Sequence, residues 1–74
     1  MNNKKHSKQV LRAFDKAGIF IVDMKERPTG DLAIYNSDKQ ESYLVKFDDT
    51  SFTIFEEIEG DEAVMLTEEY SNES

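Results

Sequence analysis

Tyr43-Leu44-Val45-Lys46-Phe47 is followed by Asp48-Asp49-Thr50-Ser51 and then by Phe52-Thr53-Ile54-Phe55. Side chains alternate between the two faces of a strand, so the first run sets Tyr43, Val45 and Phe47 against Leu44 and Lys46, and the last run gives Phe52 and Ile54 a shared core face. Aromatic and β-branched residues suit that pleated geometry, and the polar segment between the runs has the chemistry of a tight connection. Two strands joined so briefly run antiparallel.

The flanking sequence repeats this pattern. Upstream, Leu32-Ala33-Ile34-Tyr35 reads as a strand that ends in the polar turn Asn36-Ser37-Asp38-Lys39-Gln40. Before it, Ile19-Phe20-Ile21-Val22-Asp23-Met24 reads as a strand buried on both sides for much of its length. Glu26-Arg27-Pro28-Thr29-Gly30-Asp31 closes that strand, because Pro28 fixes φ and Gly30 is free to make it positive. Downstream, two readings compete. Glu59-Gly60-Asp61-Glu62 fits a hairpin turn leading to a fifth strand, Ala63-Val64-Met65-Leu66-Thr67, while Asp61 would also cap a helix running through Tyr70. The strand is favoured, since Gly60 sits where a hairpin needs it and the preceding strand otherwise lacks a partner.

The period changes at residues 7–17, where Val10, Leu11, Phe14 and Ala17 form one apolar stripe on a helix. Ser7 is placed to cap its start, Lys16 to complement its dipole and Gly18 to take the left-handed position past its end. The fold class that follows is α+β, an N-terminal helix packed on a four- to five-stranded antiparallel meander. The covered face would hold Ile19, Ile21, Leu32, Ile34, Tyr43, Val45, Phe47, Phe52, Ile54, Val64 and Leu66. The opposite face would show Phe20, Val22, Tyr35, Leu44, Phe55 and Met65, enough apolar surface to suggest a homodimer or a docked partner.

With 74 residues the chain has room for one domain, and a domain of that size buries only about 60% of its unfolded surface. It divides into a basic, flexible tail at 1–6, the helix at 7–17, the sheet at 18–70 and a fraying tail at 71–74. There is no Cys, so neither disulfides nor thiolate metal sites can reinforce the core. Met1-Asn2-Asn3-Lys4-Lys5-His6 lacks the apolar region of a signal peptide, and no apolar run is long enough to span a membrane, so the cytoplasm is the expected compartment. Asn72-Glu73-Ser74 matches a glycosylation sequon without any secretion signal to give it meaning.

Charge is distributed unevenly. Lys4, Lys5, Lys8, Arg12 and Lys16 face only Asp15 in the first sixteen residues, a balance of +4. From Asp31 onward thirteen acidic residues face Lys39 and Lys46, a balance of −11 within a net charge of −7. Direct nucleic-acid binding is opposed by that field, although the basic helix alone offers phosphate contacts.

Catalytic chemistry finds little support. His6 is the single histidine and lies in the basic tail, so no Ser or Cys nucleophile has a well-placed base. The pairs Asp48-Asp49, Glu56-Glu57, Asp61-Glu62 and Glu68-Glu69 are too numerous to single out one acid with a raised pKa, and solvated surface acids explain them better. The oxygen-rich loops at 48–51 and 57–62 do not match the calcium-loop spacing, and three scattered glycines make no phosphate cradle, so no metal or cofactor is expected. The chain is not expected to be an enzyme.

What remains is the acidic half as a ligand in its own right. Asp48, Asp49, Glu56, Glu57, Glu59, Asp61, Glu62, Glu68 and Glu69 on neighbouring segments would form a dense carboxylate surface, electrostatically similar to a phosphate backbone. In size, acidity and lack of catalytic groups the chain resembles the small acidic DNA-mimic inhibitors that bacteriophages direct against host proteins. That resemblance implies a basic nucleic-acid-binding protein as partner, such as a nucleoid protein, a nuclease or a polymerase, met in the host cytoplasm. The alternative is a generic interaction or dimerisation module that uses the second apolar sheet face.

Overall fold

The structure, a computed structural model, describes residues 6–36 and 41–70. The tail at 1–6 (His6 apart), the turn residues 37–40 and the tail at 71–74 with its sequon lie outside the described residues. One helix, α1 (Ser7–Lys16), precedes five strands: β1 (Asp23–Glu26), β2 (Leu32–Asn36), β3 (Glu41–Phe47), β4 (Ser51–Ile58) and β5 (Asp61–Glu69). Each strand pairs antiparallel with the next, giving one sheet in the order β1-β2-β3-β4-β5. The fold is therefore α+β with a five-stranded meander, and the last element is a strand.

Local chemistry sets the connections. Asp48 N–H donates to the Ser51 carbonyl at 2.8 Å to close the β3–β4 turn. Glu59 and Gly60 form a two-residue hairpin loop between the paired Ile58 and Asp61, both with positive φ (52° and 86°). That is the type I′ pattern, whose twist matches the flanking strands. At the end of α1, Gly18 takes φ 76°; its N–H donates to the Asp15 carbonyl and the Ile19 N–H to the Phe14 carbonyl, both at 3.0 Å. This reversal satisfies the orphan carbonyls of the last turn and brings Ile19 back beside Phe14 in the core.

The core lies between α1 and one face of the sheet. Val10, Ala13 and Phe14 cover Leu32, Ile34, Tyr43, Val45, Phe52 and Ile54, all buried. The Phe14 and Tyr43 rings meet edge to face, 5.4 Å between centroids. Burying each large side chain contributes about 1.5–3 kcal/mol, which is what holds a helix to a sheet in a chain without disulfides.

Four placements differ from the sequence reading. The first strand starts at Asp23 rather than Ile19, because the chain leaves α1 through the Gly18 reversal and pairs with β2 only afterwards; β1 is an exposed edge strand, not one buried on both sides. Ser7 is the first helical residue, with His6 at the N-cap and no side-chain capping bond. Leu11 and Ala17 lie exposed, leaving the buried stripe to Val10, Ala13 and Phe14. In β5 the strict alternation puts Val64 in the core and Met65 on the open face, but a β-bulge reverses them. Ile54 pairs with Leu66 and Phe55 with Val64, so Met65 is the extra residue and packs against the core, while Val64 is 63% exposed.

Candidate functional site

Residues directly opposite in an antiparallel pair share a face, so the register assigns each carboxylate of the β4–β5 ladder a side. Glu57 and Glu62 are paired and, with Glu69, point away from α1. Glu56, opposite Tyr43, and Glu68, opposite Phe52, lie on the helix side. Asp48 and Asp49 occupy the β3–β4 turn, and Glu59 and Asp61 the hairpin end. The carboxylates therefore gather into two poles rather than one continuous surface. Glu56, Glu57, Glu59, Asp61 and Glu62 surround the hairpin tip, while Asp48, Asp49, Glu68 and Glu69 lie at the other end of β5. Seven residues separate Asp61 from Glu68, about 23 Å at the rise of an antiparallel strand.

The two poles differ in their surroundings. At the far pole, Gln9 of α1 donates through Nε2 to the Glu69 carbonyl at 2.7 Å and to Glu68 Oε1 at 3.2 Å. The Tyr70 hydroxyl donates to the Asp48 carbonyl at 2.7 Å, and the His6 and Tyr70 rings stack with centroids 3.6 Å apart. The start of the basic helix is thus fastened to this pole. Burial, reinforced by Asp48 and Asp49, pushes the Tyr70 hydroxyl pKa upward.

At the hairpin pole, among the described residues, Lys46 takes part. Lys46 Nζ lies 3.4 Å from Glu62 Oε1 and 5.0 Å from the centroid of the Phe55 ring. The neighbouring Tyr43 hydroxyl donates to Glu41 Oε1 at 2.6 Å; burial first, then this bond and the charges of Glu41 and Glu56, push its pKa well above the usual value. Counted among the described residues, Glu56, Glu57, Glu59, Asp61 and Glu62 against Lys46 give −4 over roughly 10 Å of strand and turn, with Glu41 a further carboxylate beside them. Duplex DNA carries about six charges in the same length, at one per ~1.7 Å. The hairpin tip thus approaches the linear charge density of a phosphate backbone, though over a short distance.

The six apolar residues expected on the open face do not form one surface. Met65 has moved to the core, and Leu44 is only 3% exposed between its register partners Ala33 and Phe55. Phe55 is half-buried, with Lys46 over its ring. Phe20, Val22 and Tyr35 are exposed, and they lie toward the β1 edge. Lys25, Arg27, Lys46 and Glu62 line an open groove of ≈ 600 Å³ floored by Ala33 and Leu44. Among the described residues, no three His, Asp or Glu side chains are grouped to hold a metal ion, and no helix is long and apolar enough to cross a membrane.

No local pattern points to Gln9 and Tyr70 as the residues that tie the helix to the far pole, because their contacts join distant parts of the chain. Comparison of the chain with protein-family models, with curated proteins and with solved structures finds no match.

Proposed function

We propose that this chain is a non-enzymatic binding protein that occupies the basic surface of a nucleic-acid-binding protein, presenting the acidic β4–β5 hairpin tip where that partner would otherwise meet phosphates. The observation that carries this reading is the concentration of Glu56, Glu57, Glu59, Asp61 and Glu62 around one two-residue turn, with Lys46 3.4 Å from Glu62. Fixed carboxylates cost less ordering entropy on binding than carboxylates in a loose tail, and a field of this sign speeds encounter with a basic groove. Binding in preference to catalysis is supported by the described carboxylates all being exposed or half-buried, outside the kind of desolvated pocket that acid–base work needs. Inhibition by DNA mimicry is the specific form of this proposal.

A second reading rests on Phe20, Val22 and Tyr35, which are 70%, 50% and 40% exposed on the β1 side and would serve a dimer or an apolar docking partner. Capture from a bacterial lysate separates the two. In the acidic reading a basic nucleic-acid-binding protein is retained at low salt, released at high salt and lost from a Glu57→Lys, Glu59→Lys, Asp61→Lys variant. Salt-insensitive capture that survives this variant and disappears with Phe20→Ser and Val22→Ser would select the apolar reading. Leu44→Ser is unsuitable as a probe, because Leu44 is buried and its loss would act through stability.

A further inference from the structure

We infer that the outer edge of β5 takes up an extended segment of the partner as a sixth strand, one with basic residues flanking a β-branched centre. This rests on the reading above that the partner is basic, and adds how the chain engages it. β5 is the longest strand of the sheet, and among the described residues β4 is its only strand partner. Among those residues its other side presents a row of backbone N–H and C=O groups, the template for strand addition. Gln9 already occupies the Glu69 carbonyl, and on either side of the Met65 bulge the stretch from Asp61 to Thr67 has no further strand partner among the described residues. Ala63, Val64 and Thr67 on that stretch are exposed.

Exposed edges are commonly guarded by lysine, proline or an inward charge. Here the described edge carries none of the first two, and its guards are carboxylates: Asp61 and Glu62 at one end, Glu68 and Glu69 at the other. Their placement selects the occupant. A second copy pairing antiparallel over the whole strand, centred on Met65, would set Asp61 against Glu69 and Glu62 against Glu68, like charges at every end rung. Like charges directly opposite destabilise a ladder, and shorter registers surrender backbone pairs. A basic strand reverses that sign. A cation beside Glu62 would also relieve the Glu57–Glu62 opposition, which Lys46 offsets in part among the described residues.

The test uses the full chain and a synthetic peptide, Lys-Lys-Val-Thr-Val-Lys-Lys, beside a version N-methylated at alternate backbone amides, which keeps the charge and loses the ladder hydrogen bonds. The expected result is at least tenfold tighter binding of the unmodified peptide, with slowed hydrogen exchange at the β5 amides facing away from β4. Asp61→Lys with Glu62→Lys should weaken that binding at least tenfold. Equal binding of the two peptides, without slowed exchange along β5, would overturn the strand while leaving acidic docking intact. Binding of neither peptide also overturns it, and loss of lysate capture in addition would remove the parent reading. Slowed β5 exchange that grows with the protein's own concentration would assign the edge to a second copy instead.

Discussion

Glu57 and Glu62 stand directly opposite each other on the face away from α1, and this arrangement costs the fold stability. Cross-strand charge pairs are worth about 0.2–1 kcal/mol, with the sign reversed for like charges. Glu57→Lys turns a repulsive pair into an attractive one, so the two changes add. Both side chains meet solvent, Glu62 being 39% exposed, and Lys46 already takes part of the Glu62 charge at 3.4 Å. The lower half of the range therefore applies, a gain of about 0.5–1 kcal/mol. For a domain of this size that raises Tm by roughly 2–8 °C, at about 4–8 °C per kcal/mol. Glu57→Gln, which removes repulsion without adding attraction, should give about half the gain. Thermal unfolding of the three proteins at low ionic strength and at about 1 M salt, where the screening length falls to about 3 Å, measures both the gain and its electrostatic origin. A loss of stability with Glu57→Lys, or a gain unchanged by salt, would refute the cross-strand register or the field ascribed to it. A stabilising change so close at hand is what a surface kept for binding should offer, since function and stability are then opposed.

Four further outcomes follow from particular contacts. Glu59→Asn places the preferred residue at the first position of a type I′ turn now held by Glu at φ 52°, and denaturant unfolding should register a gain of about 0.5–1 kcal/mol. Gly18→Ala meets no atom within 4 Å but forces an L-residue to φ 76°, so unfolding should show a loss of about 1 kcal/mol from backbone strain alone. Gln9→Ala removes the bonds to Glu68 and Glu69; hydrogen exchange should accelerate at the Glu69 end of β5, with a stability loss of about 1 kcal/mol. Tyr43 keeps its proton in the folded chain to higher pH than in the unfolded chain, where tyrosine ionises near pH 10. Above about pH 10 the unfolded state therefore binds fewer protons and stability falls with rising pH, a slope that Tyr43→Phe should reduce in alkaline unfolding curves.

The sheet was legible because its core strands keep strict alternation. Tyr43, Val45, Phe52 and Ile54 are buried on the face their spacing assigns. Gly60 also tipped the ambiguous last segment toward a strand, and it is one of the two turn residues with positive φ. The bulge at Met65 left no trace in composition, yet it exchanges the faces of Val64 and Met65 and so removes one residue from the expected open surface. Ile19 to Val22 have strand composition, but the Gly18 reversal spends them on reaching the sheet edge. For the site, acidity was plain from the charge balance, while its division into two poles depends on which side of β4 and β5 each residue faces. The attachment of Gln9 to Glu68 and Glu69 spans about sixty positions, and no local pattern announces a contact of that range.

Competition with duplex DNA tests most directly whether the hairpin carboxylates take the place of phosphates. A basic nucleic-acid-binding protein captured by the chain is loaded with labelled duplex, and release of the label is followed as the chain is added. Displacement by the wild-type chain, weaker as salt rises and absent for the Glu57→Lys, Glu59→Lys, Asp61→Lys variant, is the expected result. A captured partner that keeps its DNA while the chain is bound, or an equally effective triple variant, would contradict it.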